Sequence, residues 1–149
     1  MFQSMIITTL LVLATVILHY EILRGITDIL PRLPVMPRYR IIFVIIAAFV
    51  GHTIEVWLFG LAYWVIHGHL GLGNLQGDYD GSLVEAVYFS AVSYSTLGFG
   101  DVYPTGALRL MAGVEALTGL VMVGWTVSYT YIAMQELWDL HPGRRNHRK

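Results

Sequence analysis

Three long apolar runs constrain this chain more than any other feature, because about 20 residues without charge is the length of helix needed to cross a bilayer core. Residues 5–23 form the first run. Residues 41–66 form the second, ~39 Å of helix at the rise of an α-helix. Residues 105–138 form the third, long enough to emerge beyond the bilayer. With 56% hydrophobic and 13% charged residues, the composition excludes an ordinary soluble domain. A cleaved signal peptide would need a basic start and a small-residue cleavage site. No Lys or Arg precedes Arg24, so a retained first span is expected. Cysteine is absent, which removes disulfides, thiolate metal sites and thiol nucleophiles. The fold class expected is an all-α membrane protein.

Between the second and third runs lies Ser95-Thr96-Leu97-Gly98-Phe99-Gly100-Asp101. Coordinating a dehydrated cation needs consecutive carbonyl oxygens aimed at one axis. Alternating glycines supply backbone conformations that residues with a Cβ resist, and Thr96 adds a hydroxyl at one end. An ordinary Gly-rich turn is the plain alternative. Upstream, Ser82-x-x-Glu85 has the pattern of a helix-starting capping box.

The stretch resembles the filter of the potassium channel family, Thr-Val-Gly-Tyr-Gly, over residues 82–132. Leu97 stands where the family usually has Val or Ile, and Phe99 where it most often has Tyr. Both occur in some members, notably two-pore-domain channels. Phe99 brings no hydroxyl, which implies a more loosely held filter. The resemblance implies a pore domain over residues 41–138, with outer helix 41–67, re-entrant pore helix 82–95, filter 96–101 and inner helix 104–138. Thr96, Leu97, Gly98 and Phe99 would offer the oxygens, with Gly100 and Asp101 completing the outer mouth. It also implies that Tyr88 donates to Asp101, and that Gly119 is a bend in the inner helix. Close helix approach at a small residue accounts for Gly119 equally well. Alignment on Pro104 makes Val121, Trp125, Ser128 and Ile132 cavity or gate residues.

One such strand cannot surround an ion, so a C4 homotetramer is expected. The implied function is passive K⁺-selective permeation, with permeant K⁺ the only non-protein component and the lipid bilayer the surrounding partner. A weakly selective cation channel and a non-conducting membrane sensor or assembly subunit are the alternatives. No span carries Arg at every third position, so no voltage sensor of that kind is expected. No Gly-x-Ser-x-Gly or His-Glu-x-x-His motif suggests an enzyme. A net charge of −1 gives no ground for a nucleic-acid partner.

Arg24, Arg32, Arg38 and Arg40 lie in a segment punctuated by Pro31, Pro34 and Pro37, expected as a loop over residues 26–40 after a first helix over 1–25. Arg144, Arg145, Arg148 and Lys149 mark a basic tail over 139–149. The positive-inside rule puts both in the cytoplasm and the N-terminus outside a multi-pass cell-membrane protein. In the opposite loop, His67, His69, Asp78 and Asp80 fit no standard metal spacing, and a solvated surface is the simpler account.

Three ionisable groups fall deep in the spans. His52 and Glu55 share one helical face, and Glu115 lies at similar depth on the third span. A His52–Glu55–Glu115 cluster follows, either a hydrogen-bonded strut or a proton sensor coupled to the pore. His19 and Glu21, near the end of the first run, are expected at the membrane interface.

Overall fold

The computed structural model describes residues 2–67 and 71–138. Four helices and a small ribbon follow one another as α1 (Phe2–Ile29), α2 (Pro37–Val65), β1 (Leu75–Gly77), α3 (Leu83–Tyr94), β2 (Val102–Pro104) and α4 (Leu108–Leu137). The helices α1, α2 and α4 are each long and apolar enough to cross a membrane. At 12 residues, α3 is ~18 Å long and too short to do so. The basic tail and His69 lie outside the described residues.

The expected Pro/Arg loop is mostly helical. The first helix runs on to Ile29, and Leu30–Arg32 adds a 3-10 turn. Pro31 stands in the first positions of that turn and Pro37 in the first of α2, where a missing N–H costs no intrahelical bond. Only residues 33–36 lie outside helix, and the Arg40 guanidinium closes over them by donating to the carbonyls of Leu33 at 3.0 Å and Val35 at 3.3 Å.

The buried face of α1 is Ser4, Thr8, Thr15, His19, Leu23 and Ile26, while Leu10, Leu13 and Ile17 are exposed. That polarity inverts the pattern of a soluble helix. In a bilayer apolar side chains can face lipid, so small and hydroxylated residues are free to seat the helix on its neighbours. The neighbours are α2 and α4. Thr27 Oγ1 shares a 2.8 Å hydrogen bond with Tyr129 of α4.

Two apolar clusters fill the bundle. Phe59 and Tyr63 of α2, Ala86 and Phe89 of α3, and Leu108 and Met111 of α4 form one. Leu23, Ile26, Ile41, Val44 and Ala133 form the other. Gly60 lets α2 and α3 approach closely: a Cβ there would lie 2.7 Å from the Val87 Cα.

The expected start of the last helix at residue 104 moves to Leu108, because Val102–Pro104 pairs antiparallel with β1, Gln76 opposite Tyr103. Gly77, at φ +92°, is required in that ribbon, since a Cβ would collide with the Asp101 carbonyl. At the start of α3, Ser82 Oγ accepts from Glu85 N–H at 3.2 Å. The reciprocal half of the capping box is taken by Asp80, whose Oδ1 accepts from Ser82 N–H at 2.8 Å.

Candidate ion-binding loop and its supports

The chain leaves α3 at Ser95 and enters a loop with an alternating backbone. Thr96, Gly98 and Gly100 have φ of 60°, 61° and 82°. Thr96 is the only non-glycine with positive φ among the described residues, a conformation costing ~1–2 kcal/mol for a residue with a Cβ. Its N–H donates to the Ser93 carbonyl at 3.0 Å, and the N–H of Leu97 donates to the Val92 carbonyl at the same distance, with Gly98 N–H at 3.4 Å. The donors of the loop's first half are thus turned back onto the end of α3. Among the described residues no hydrogen bond ends on a carbonyl of residues 96–100. The loop thus has the N–H groups of its first half satisfied inward and its oxygens left over. The side chains of Leu97 and Phe99 are exposed on the single chain, at 59% and 65%.

Asp101 anchors the far end. Tyr88 Oη donates to its Oδ2 at 2.6 Å, Val102 N–H donates to its Oδ1 at 2.9 Å, and its carbonyl accepts from Asp78 N–H at 2.9 Å. The Tyr88 hydroxyl, helped by the Val102 amide, holds the Asp101 carboxyl below the usual carboxylate range.

Behind the loop the ionisable groups form two networks rather than the single His52–Glu55–Glu115 cluster. Glu55 accepts from the Tyr94 hydroxyl and lies 2.9 Å from His19 Nδ1 and 3.3 Å from His52 Nδ1. Glu115 instead accepts from Tyr63 Oη at 2.6 Å and Ser90 Oγ at 2.5 Å. The two carboxylates take different partners from α3, which presents Ser90 to Glu115 and Tyr94 to Glu55, one turn apart. Glu115 ties α2, α3 and α4 together, and Glu55 ties α1, α2 and α3. Both carboxylates are fully buried, where partnered hydrogen bonds are needed to offset desolvation.

His19 is buried against Glu55, not placed at the interface. Six further helical residues follow Leu23, which moves His19 into the body of the bundle. Glu21 is exposed, 3.6 Å from Arg24. The sequence reading also missed Tyr63, Ser90, Tyr94 and Thr126. Only His19 carried a signal, as an ionisable side chain inside an apolar run.

Gly119 sits in an unbroken α4. A Cβ there would fall 2.2 Å from the Tyr94 carbonyl oxygen, so the glycine admits close approach of α4 to the end of α3. On the same helix Val121 and Ile132 are exposed and Ser128 Oγ donates to its own helix at Gly124. Trp125, 37% exposed, has its ring 5.3 Å from that of His19.

Three helices long and apolar enough to cross a membrane, with a short helix and a loop before the last of them, define an all-α multi-pass membrane protein. The sequence model of a family described as ion channel matches residues 39–136, most of the chain and all of the loop. The chain belongs to that ion channel family. It is 33% identical over 70 residues to a protein of Rhodopseudomonas palustris named as a potassium channel protein. It is also 36% identical over 56 residues to Two-pore potassium channel 1 of Arabidopsis thaliana. These matches cover 46% and 37% of this chain but only 17% and 15% of the relatives. No solved structure matches the chain. Family membership points to transport rather than to catalysis.

Proposed function

We propose that the protein is a K⁺-selective channel in which four chains contribute residues 96–100 to one filter on a shared axis. The observation carrying this reading is the loop's division of labour: the N–H groups of Thr96, Leu97 and Gly98 are tied back to the end of α3, no bond among the described residues ends on a carbonyl of 96–100, and positive φ at Thr96, Gly98 and Gly100 alternates with Leu97 and Phe99. Alternation of left- and right-handed residues turns successive carbonyls to one side, as ring-wise coordination of a bare cation requires. In this reading α3 is the pore helix, α2 the outer helix and α4 the inner helix, and the carbonyl end of α3 favours a cation below the filter. The relatives named as potassium channels support K⁺ as the ion.

Assembly is supported by what one chain leaves uncovered. Leu97 and Phe99 are large apolar side chains exposed beside the loop, and neighbouring chains would cover them. Conduction needs no cofactor beyond the permeant K⁺. The basic residues of 24–40 and 139–149 support a cytoplasmic C-terminus and an outer N-terminus. Val121, Ser128 and Ile132, exposed on α4, are the residues available to line a cavity.

Reversal potentials of the reconstituted protein under opposed K⁺ and Na⁺ gradients test the reading. A potential close to the K⁺ equilibrium value is expected. A potential near zero would make the pore a weakly selective cation channel, and absence of any K⁺ or Na⁺ flux would leave a non-conducting membrane subunit.

A further inference from the structure

Conduction has no use for the side chains gathered where α1 meets α2. His19 and Glu55 are 1% and 0% exposed, and His52 is 18% exposed. Both imidazoles turn Nδ1 to the Glu55 carboxylate, at 2.9 and 3.3 Å. Both also turn Nε2 to one hydroxyl, Thr126 Oγ1, at 3.2 and 3.0 Å. One donor atom from each of the three lies within 4.8 Å of the others.

The protons of this ring can be counted. Tyr94 gives its only proton to Glu55, so His52 Nδ1, 2.8 Å from Tyr94 Oη, can only donate there. His19 Nδ1 must likewise donate to the carboxylate. Thr126 has one proton and can serve one Nε2, so the other must carry its own. Hydrogen bonds alone close the ring only if it holds one proton more than two neutral imidazoles and an ionised carboxylate supply.

A divalent cation would serve the ring another way, replacing both Nδ1–H bonds and the His52–Tyr94 contact while leaving the Tyr94 bond to Glu55. Thr126 then accepts from both Nε2–H groups, which leaves two Nδ1 lone pairs on the carboxylate side for a cation to share with Glu55. Two imidazoles and a carboxylate are a known ligand set for a tetrahedral Zn²⁺-type ion with a fourth position open. An outward N–H held by an oxygen is what fixes such rings. Ligands ~2.1 Å from a tetrahedral centre stand about 3.4 Å apart, so the three donor atoms, within 4.8 Å of one another and with the two imidazoles on different Glu55 oxygens, would draw together on binding. The nitrogen content disfavours Ca²⁺ and Mg²⁺, which take oxygen. A cavity of about 640 Å³, lined in part by His52, Tyr94 and Thr126, leads to the partly exposed ligand.

We infer that His19, His52 and Glu55 bind a divalent transition metal of the Zn²⁺ class, fastening α1 to α2 beside Tyr94. Occupancy braces the first helix against the residue that ends α3, two positions before Thr96.

The test is binding, and it stands whether or not the protein conducts. The full chain, purified in detergent, is titrated with Co²⁺. One Co²⁺ per chain is expected, with the intense visible absorption of tetrahedral coordination and displacement by Zn²⁺. H19Q and H52Q each lose that band, while His67, His69, His141 and His147 are unchanged in both. H19C keeps a ligand and adds a sulfur-to-cobalt charge-transfer band, which a chain otherwise free of cysteine cannot give. That band separates loss of a ligand from loss of fold. No tetrahedral band in the wild type, an equal band in the H19Q/H52Q double variant, or no charge-transfer band in H19C would overturn the inference.

Discussion

Replacing Gly119 by alanine isolates the contact on which the loop's lower end rests. The new Cβ would lie 2.2 Å from the Tyr94 carbonyl oxygen and 3.0 Å from both Tyr94 C and Cγ. Ordinary contact needs roughly 3.5 Å, so about 1 Å of movement is required. The nearest neighbour is main chain, and no rotamer change relieves it. Overpacking of this kind costs ~1–3 kcal/mol, opposed by the ~1 kcal/mol that alanine gains over glycine inside a helix. Gly113→Ala and Gly124→Ala supply the comparison, since a Cβ at either meets nothing within 4 Å. The helix gain is common to all three, so the ~1–3 kcal/mol appears as the difference between them. Heat unfolding of the detergent-solubilised protein, followed by circular dichroism, should place Gly119→Ala below both reference variants. If it melts with them, Gly119 is not a packing contact, and the account of how α4 supports the end of α3 fails.

Gly98→Ala should abolish K⁺ flux in liposomes while the assembly still forms. Nothing within 4 Å obstructs a Cβ there, so the whole effect comes from φ +61°, ~1–2 kcal/mol in each chain; unchanged flux would remove the filter assignment. Ser90→Ala strips a buried carboxylate of its 2.5 Å donor, and should destabilise the protein by ~1–3 kcal/mol. Ser95→Ala, at an exposed hydroxyl bonded to its own helix, serves as the control, and equal melting of the two would deny Glu115 its role as a clamp. The Asp101 carboxyl is held low by Tyr88 and Val102. Its contribution is complete above the free aspartate range near ~4 and is lost as pH falls through the lowered value. Tyr88→Phe should therefore shift the Asp101 titration, followed by carboxyl carbon NMR, to higher pH, and an unmoved titration would contradict the bond.

The elements legible in the sequence were those with strong local signals. Apolar length marked the three spans, and the alternation of Gly98 and Gly100 after Thr96 marked the loop. What escaped depended on tertiary partners. The prolines suggested a long loop, but Pro31 and Pro37 occupy first-turn positions where the ring is compatible with helix. Ending the first span at Leu23 put His19 at the interface, whereas continuation to Ile29 carries it inward to Glu55. Depth along the helices suggested that Glu55 and Glu115 share one cluster, yet depth says nothing about which side chains of α3 reach each of them. The hydroxyls of Ser90 and Tyr94, residues ordinary enough in any apolar helix, divide one anticipated cluster into two. Glu85 also misled through a local motif, since Asp80 Oδ1 accepts the Ser82 N–H in its place.

The central claim is that chains meet at residues 96–100 to hold dehydrated K⁺ with main-chain oxygens. A high-resolution map of the protein in lipid nanodiscs with K⁺ present examines it directly. Four-fold symmetry, with ion density on the axis between the carbonyls of Thr96, Leu97, Gly98 and Phe99, is the result this account predicts. Another symmetry, or Gly98 and Gly100 lying away from the axis, would contradict it.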